Sequence, residues 1–238
     1  MSLGEISTIL LDKKEEIKER NEILDITNLS KIYSKEEVLA ASSDYFKGDG
    51  LAAKVFVDKY ALKNIKESGL VEYFELTPDD MHHRLSREFY RIEKKYKNPI
   101  SYNDIYNLLK NFRFVVPQGS PMSVIGNPFQ ISSISNCVVL PKLFDSYGGI
   151  MYADQQIAQL SKRRCGVGLS ISPIRPKGMP VKNSALTTDG IEVFMERFSN
   201  TTREVAQSGR RGALILTIDV HHPQILDFAK IKKDLKKV

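Results

Sequence analysis

The second half of this chain alternates between short apolar segments and longer amphipathic ones, and this alternation limits the fold more than any other feature. The apolar segments have the length of strands, at Cys137–Leu140, Val167–Ile171 and Ala213–Ile218. Helical patterns separate and follow them, at Gly149–Arg163, at Ile191–Gln207 and from His222-Pro223 through Ala229. Such long connections favour parallel strands, because antiparallel neighbours need only a tight turn. We therefore predict a mixed α/β fold, as a layer or a barrel.

The residues before Phe114 show helical rather than strand periodicity. Thr77 can cap a helix, Pro78 suits the first helical position, and Asp79 and Asp80 favour the positive end of its dipole. The predicted helices are Ser34–Tyr45, Leu51–Leu62, a helix from Thr77 to about Tyr96 and another from Ser101 to about Phe112. We predict a charged helical arm over 1–47, a helical domain over 48–113 and an α/β portion over 114–238. Three strands are too few to close a barrel, so we expect a front part of a larger structure.

Composition excludes several classes of protein. The longest apolar runs are far shorter than a membrane span, and the first residues do not resemble a secretory signal. Two cysteines, Cys137 and Cys165, exclude a disulfide scaffold and indicate a reducing cytoplasm. The net charge is +6, from 35 Lys and Arg against 29 Asp and Glu. This suits phosphorylated ligands, whereas no basic segment carries the interleaved aromatic residues of a single-strand nucleic-acid platform.

Four groups of residues could perform chemistry: a loop, the two cysteines, an arginine-containing segment and the histidine pairs. The loop 114–123 and the polar stretch after it could hold a ribose or phosphate, or could be a turn-rich connection. A cysteine at a strand start is usually a small buried hydrophobe, which is one interpretation of Cys137, whereas arginines beside Cys165 favour a reactive thiolate. Ser208–Gly212 is either a mobile phosphate-binding loop or a solvated turn. The pairs His82-His83 and His221-His222 are best explained as helix starts and satisfied core residues, so no metal site is predicted.

Several short motifs follow one another along the chain from about Leu51 to its end. They are Leu51–Lys54 with Lys59–Ala61, Met81–Arg84, Pro117–Pro121, Ser135–Val139, Asp145–Ile150, Gly166–Leu169, Ile174–Gly178, Gln207–Ala213 and His222-Pro223. Taken together, in this order and spacing, they resemble the large, catalytic subunit of ribonucleotide reductase. Where relatives commonly carry glycine, this sequence has Cys165.

The resemblance implies a ten-stranded α/β barrel that reduces ribonucleotides to deoxyribonucleotides for DNA synthesis by radical chemistry. Cys137 matches one member of a redox-active cysteine pair whose partner lies outside this chain. Substrate contacts fall on Ser120, Asn136 and Gly166. An allosteric deoxynucleotide effector site matches Asp145, Ser146, Tyr147, Lys162, Arg175, Lys182 and Asn183. A loop relaying effector identity to the substrate matches Gln207, Ser208, Gly209, Arg210 and Arg211.

The resemblance also implies partners that this chain does not contain. They are a ribonucleotide, a deoxynucleoside triphosphate, the rest of the catalytic subunit, a second copy in a homodimer, and a radical source, which is adenosylcobalamin or a metal-bearing small subunit. A dithiol reductant completes the set, and neither membrane nor nucleic acid is expected. The radical cysteine is absent from this sequence, so we expect no activity from the chain alone. A split enzyme, an interrupted gene or a truncation would explain this, and a nucleotide-binding module without chemistry is the alternative.

Overall fold

The structure is a computed structural model that describes residues 29, 31–205 and 212–233. The chain forms two compact units, Met1–Ile134 and Ser135–Val238. The predicted domain boundary at residue 114 lies within the first unit. Most of the predicted charged helical arm over 1–47 lies outside the described residues. No helix in the described ranges is long and apolar enough to cross a membrane.

The first unit contains the predicted helices together with one short additional helix. They are α1 (Lys35–Tyr45), α2 (Gly50–Lys59), α3 (Pro78–Glu93), α4 (Tyr102–Leu109) with a 3₁₀ turn at Lys110–Phe112, and α5 (Gly119–Val124). The predicted start at Thr77-Pro78 is confirmed, because Pro78 opens α3 and Asp80 Oδ2 accepts the Thr77 N–H at 2.9 Å. The loop predicted over 114–123 contains the start of α5. A buried cluster joins these helices, formed by Val38, Phe56, Val57, Ala61, Tyr73, Met81, Leu85, Ile105 and Leu109.

A small antiparallel hairpin interrupts the helical first unit, and the periodicity did not predict it. Strand β1 (Lys63–Ile65) pairs with β2 (Val71–Tyr73), and Gly69 takes a φ of +83° in the turn between them. Each strand has three residues, which is too short for an alternating pattern to be recognised. The first unit is therefore not purely helical.

A buried ion pair ties the hairpin region of the first unit to α3 and α5. Arg84 is 2% exposed, and its Nε donates to Glu75 Oε1 at 2.7 Å. Its other nitrogens donate to the carbonyls of Met122 and Ile125. Glu75 Oε2 accepts the Leu62 N–H at 2.7 Å. Because both charges are satisfied, they can be buried here without leaving an unpaired ion.

The second unit is built on a parallel sheet, as the strand–helix alternation predicts. Strands β3 (Cys137–Val139), β4 (Gly166–Ser170) and β5 (Leu214–Thr217) lie in the order β3-β4-β5, all parallel. Helix α6 (Tyr147–Ser161) connects β3 to β4, and α7 (Ile191–Glu204) lies between β4 and β5. Helix α8 (Ile225–Lys230) follows β5 and continues into a 3₁₀ turn at Ile231–Lys233. The mixed α/β class is confirmed.

One face of this sheet carries the core of the second unit. Val167 and Leu169 are buried on that face, against α6 and α7, in a cluster with Leu140, Leu143, Ile150, Ala153, Ile157, Ile171, Ile174, Ile191 and Phe198. The alternate positions face the other way, so Val139 is 81% exposed and Ile215 is 68% exposed. The described strands form an open three-stranded sheet and not a closed barrel. The ten-stranded barrel stays a prediction.

Candidate functional site

A cleft of about 530 Å³ in the second unit brings together most of the predicted effector residues. Its walls are the start of α6, one face of α7 and the segment 175–190, here called the arm. Six of the seven predicted residues line it: Asp145, Ser146, Tyr147, Arg175, Lys182 and Asn183. The remaining one, Lys162, does not.

An ion pair among the residues that line the cleft joins the loop before α6 to the arm. Arg175 Nε donates to Asp145 Oδ2 at 2.6 Å, and Arg175 Nη1 donates to the Pro180 carbonyl at 2.8 Å. Asp145 and Arg175 are 28% and 35% exposed at their side chains, so both remain accessible to a ligand. Two residues of the predicted effector site, Asp145 and Arg175, are thus partners of each other.

The amino terminus of α6 opens onto the same cleft. Ser146 caps this helix, and its Oγ accepts the Gly149 N–H at 3.1 Å. The first N–H groups of a helix have no intrahelical acceptor and carry a positive partial charge, which favours an anion. Gly149 is needed here because a Cβ at this position would lie 2.6 Å from the Phe144 carbonyl oxygen. The close approach of Phe144 lets the chain turn sharply into α6.

The arm folds back on itself as a small hairpin. Val181 donates to the Leu186 carbonyl at 2.9 Å, and Thr188 donates to the Met179 carbonyl at 3.0 Å. At the tip, the Asn183 side chain accepts the Ala185 N–H at 2.9 Å. Lys182 and Asn183 therefore belong to this hairpin, and both line the cleft.

Lys162 lies at the far end of α6 from the cleft. It is the C-cap residue of this helix, whereas Ser146 is its N-cap. At 1.5 Å per residue the two ends are roughly 20 Å apart. Within the described part of one chain, Lys162 is therefore not placed with Asp145 and Arg175.

A second cluster of predicted residues lies where β3 and β4 begin. The parallel register pairs Cys137 with Gly166, and Gly166 donates its N–H to the Asn136 carbonyl at 2.7 Å. A Cβ on Gly166 would lie 3.2 Å from Cys137 Sγ and 3.4 Å from the Ala213 Cβ. Glycine therefore makes room for the thiol. Ser120, the third predicted substrate contact, is buried in α5 of the first unit.

Both cysteines are free thiols, but in different surroundings. Cys137 is exposed and Cys165 is 1% exposed. The interpretation of Cys137 as a small buried hydrophobe is therefore wrong. So is the interpretation of Cys165 as a reactive thiolate, because a solution reagent cannot reach it without a change in the core. The predicted relay residues Gln207, Ser208, Gly209, Arg210 and Arg211 lie outside the described residues.

The buried histidines differ in their hydrogen-bond partners, which the sequence does not suggest. His222 is buried and satisfied, because its Nε2 lies 2.8 Å from the Ile174 carbonyl and its Nδ1 accepts the Gln224 N–H. His82 is fully buried, yet neither ring nitrogen has a hydrogen-bond partner among the described residues, so a satisfied core residue is the wrong interpretation there. Across the described ranges, no three His, Cys, Asp or Glu side chains are grouped to hold a metal ion.

Sequence reasoning missed part of the cleft wall. Thr187, Thr188 and Asp189 line it from the arm, and Val193, Phe194 and Arg197 line it from α7. The residues 193, 194 and 197 share one helical face, a spacing that the sequence does contain. The buried Gln224, which contacts the arm from the turn after β5, had no signal in the sequence.

Comparison with known proteins gives a match over most of the second unit. Residues 135–237 match the family model described as ribonucleotide reductase, barrel domain. The matched segment contains the parallel sheet, the cleft and the Cys137 cluster.

The chain is similar to several proteins named as ribonucleoside-diphosphate reductases. The chain is 32% identical over 130 residues to the ribonucleoside-diphosphate reductase large chain 2 of Saccharomyces cerevisiae, which covers 54% of this chain and 15% of that protein. It is 31% identical over 128 residues to the vitamin B12-dependent ribonucleoside-diphosphate reductase of Mycobacterium tuberculosis, covering 53% and 18%. It is 30% identical over 133 residues to the ribonucleoside-diphosphate reductase large subunit of Variola virus, covering 55% and 17%. The chain thus spans less than a fifth of the length of these relatives.

Proposed function

We propose that this chain is a portion of a ribonucleotide reductase large subunit and takes part in reducing ribonucleotides to deoxyribonucleotides. The observation that carries the proposal is the cleft, in which six residues expected from the resemblance meet within the segment that matches the family model. Those residues come from three separate parts of the chain. Their convergence supports the resemblance independently of the residue identities that suggested it.

The cleft is the proposed site of a deoxynucleoside triphosphate effector. Arg175 and Lys182 supply positive charge, and the amino terminus of α6 supplies backbone donors for phosphate oxygens. Asp145 can accept a hydrogen bond from a ribose hydroxyl once Arg175 turns toward phosphate. Two rings of the cleft, the exposed Tyr147 and the half-buried Phe194, meet edge to face with centroids 6.1 Å apart and offer apolar surface to a base.

Lys162 fits the same proposal through a second copy of the chain. The resemblance implies that effector sites of the family lie at a dimer interface. A lysine that is remote from the cleft in its own chain can then contribute to the cleft of its partner. The proposed assembly is a homodimer, and a radical-generating small subunit is a further partner of the complete enzyme.

Cys137 is the proposed redox thiol, beside Asn136 and Gly166 as substrate contacts, with Ser120 as a further contact. Oxidation of two thiols to a disulfide releases two electrons and two protons. With them the ribose 2′-hydroxyl leaves as water, and a hydrogen takes its place. The exposure of Cys137 supports this role, because the thiol must meet both a substrate and a second sulfur. The two free thiols are compatible with a reducing compartment, for which we propose the cytoplasm.

The proposed complete enzyme needs a radical source and a dithiol reductant. One relative is named as vitamin B12-dependent, whereas the yeast and viral relatives carry no such description. Both adenosylcobalamin and a metal-bearing small subunit therefore stay open as the radical source. Diphosphates are the substrates in the names of these relatives, and we propose a ribonucleoside diphosphate for this chain.

Arg175→Ala tests the effector site directly. We expect deoxythymidine triphosphate to bind the chain, and the variant to bind it roughly 10- to 150-fold more weakly, because a lost charge-assisted phosphate contact costs about 1.5–3 kcal/mol. Isothermal titration calorimetry in the presence of Mg²⁺ measures both affinities. Arg113→Ala is the control, since Arg113 is exposed and lies in the first unit. Equal affinities of the Arg175 variant and the wild type would contradict the assignment.

A further inference from the structure

The turn after β5, residues 219–224, is anchored more firmly than a surface turn requires. Its residues His222 and Gln224 are only 7% and 6% exposed. The turn is closed by hydrogen bonds from the His222 N–H to the Asp219 carbonyl and from the Ile225 N–H to the His222 carbonyl, each 3.0 Å long. Polar side chains buried in this way need specific partners.

Gln224 finds those partners at both ends of the arm. Its Oε1 accepts the Lys177 N–H at 2.9 Å and the Ile191 N–H at 3.2 Å. Lys177 lies near the start of the arm, and Ile191 follows its last residue. One amide oxygen therefore closes the base of the arm, while its Nε2 donates to Asp227 Oδ2 at 3.3 Å.

The same contact caps a helix. Ile191 is the first residue of α7, and its N–H has no acceptor within the helix. The N-cap residue is Gly190, which has no side chain to supply one. Gln224 takes this role from outside the helix, so that the start of α7 and the base of the arm share one acceptor.

Gly190 is the residue that makes this arrangement possible. Its φ is +82°, which favours glycine, and a Cβ would lie 2.2 Å from Gln224 Oε1 and 2.6 Å from the Lys177 nitrogen. Any side chain there would displace the glutamine from both backbone donors. The local backbone is thus built around the Gln224 amide.

His222 holds Gln224 in place. Its Nε2 donates to the Ile174 carbonyl at 2.8 Å, and its Nδ1 accepts the Gln224 N–H at 3.1 Å. These two contacts require the neutral imidazole with its proton on Nε2. The segment leading into the arm is therefore fixed to the same turn.

We propose that Gln224 is a positioning residue that holds the arm against the cleft, so that Lys182 and Asn183 are presented to a nucleotide that Gln224 itself does not touch. Gln224 does not line the cleft, whereas the tip and the returning strand of the arm do. Without the glutamine, two buried backbone donors lose their acceptor and the base of the arm opens. The nucleotide part of this proposal rests on the proposed function.

The test uses the full chain with three variants. Gln224→Leu removes the acceptor, and Gln159→Leu makes the same change at an exposed position of α6 as the control. Gln224→Glu combined with Asp227→Asn keeps an acceptor at position 224 and restores a donor beside it. Amide hydrogen exchange without ligand is measured at Lys177 and Ile191, with Val167 in the central strand as the control for folding. Titration with deoxythymidine triphosphate follows.

We expect Gln224→Leu to speed exchange at Lys177 and Ile191 at least tenfold, with Val167 unchanged, and to weaken nucleotide binding at least tenfold. The double variant should restore both properties, and Gln159→Leu should change neither. Unchanged exchange at the two amides overturns the positioning role, whatever the nucleotide affinity of the variant is. Faster exchange at these amides with an unchanged nucleotide affinity overturns the proposed link between Gln224 and the cleft. Failure of the wild type to bind any nucleotide contradicts the proposed function, while the exchange data still decide whether Gln224 holds the arm.

Discussion

His82 shows at the scale of one residue how a buried polar group makes stability depend on pH. Its ring packs edge to face on Phe112 with centroids 4.6 Å apart, and both nitrogens lack partners in the described structure. Burial lowers the pKa of His82 to about 4, against a smaller raising effect of Asp79 and a lowering effect of His83. The folded chain therefore keeps this imidazole neutral where the unfolded chain protonates it.

Acidification should therefore destabilise the protein through His82. Above pH 6.5 both states are neutral at this residue, and the free energy of unfolding does not depend on it. Between pH 6.5 and about 4 mainly the unfolded state takes up the proton, so the free energy of unfolding decreases as the pH is lowered. The loss is about 2 kcal/mol at pH 4.5. Urea unfolding at pH 7 and pH 4.5 measures this loss, and His82→Leu should reduce it. His221→Gln, at a largely exposed histidine, should leave it intact, and an equal loss in the His82 variant would contradict the assignment.

At the scale of single elements, the start of α6 shows how two adjacent glycines can differ in their roles. Gly148 and Gly149 both lie in the first turn of the helix. The nearest atom to a Cβ on Gly148 is Ser146 Oγ at 4.0 Å, whereas a Cβ on Gly149 would lie 2.6 Å from the Phe144 carbonyl oxygen. The sequence alone does not distinguish the two positions. They differ only because the Phe144 carbonyl lies close to Gly149 and not to Gly148.

The two alanine variants should therefore have opposite effects. Gly149→Ala forces the chain at Phe144 to shift and should destabilise the protein by about 1–3 kcal/mol. Gly148→Ala fits its space and should stabilise the helix by up to about 1 kcal/mol, because glycine is a poor helix former. Thermal unfolding of both variants measures the difference. Equal destabilisation by the two changes would show that the contact with Phe144 does not limit position 149.

At the scale of the whole molecule, two features limit the chemistry of the chain. One face of the sheet in the second unit is exposed, and the chain has two cysteine thiols. Cys137 and Val139 are exposed on β3, and Ile215 is exposed on β5, at the two sides of the described sheet. The chemistry implied by the resemblance uses three sulfur atoms: one that carries the radical and two that become a disulfide. The chain has two cysteines, of which Cys165 is buried.

We therefore expect no deoxynucleotide from the 238-residue chain alone. The assay contains cytidine diphosphate, dithiothreitol, and either adenosylcobalamin or a radical-generating small subunit. Too few thiols are present, and an open sheet face would not shield a radical from water. Adding a polypeptide with the family's remaining strands and cysteines should yield product, and Cys137→Ser should abolish it. Turnover by the chain alone would contradict the role of Cys137.

The sequence determined those features that depend on neighbours along the chain. The alternation after Phe114 predicted three parallel strands with helical connections, and the Thr77-Pro78 signal placed the start of α3. Periodicity and capping are set within a turn or two of a helix, so they can be read without the fold. The same rules missed the hairpin β1–β2, whose strands of three residues are held by pairing with each other.

Tertiary structure alone decided which of the expected site residues meet. It paired Asp145 with Arg175, left Lys162 at the far end of α6 and buried Cys165 while exposing Cys137. Among the described residues it gave the His82 ring nitrogens no hydrogen-bond partner. It also placed Gln224 on two backbone N–H groups that lie 47 and 33 positions earlier in the chain. These contacts join residues separated by tens of positions in the chain. Their geometry depends on how the elements pack, which no local pattern in the sequence records.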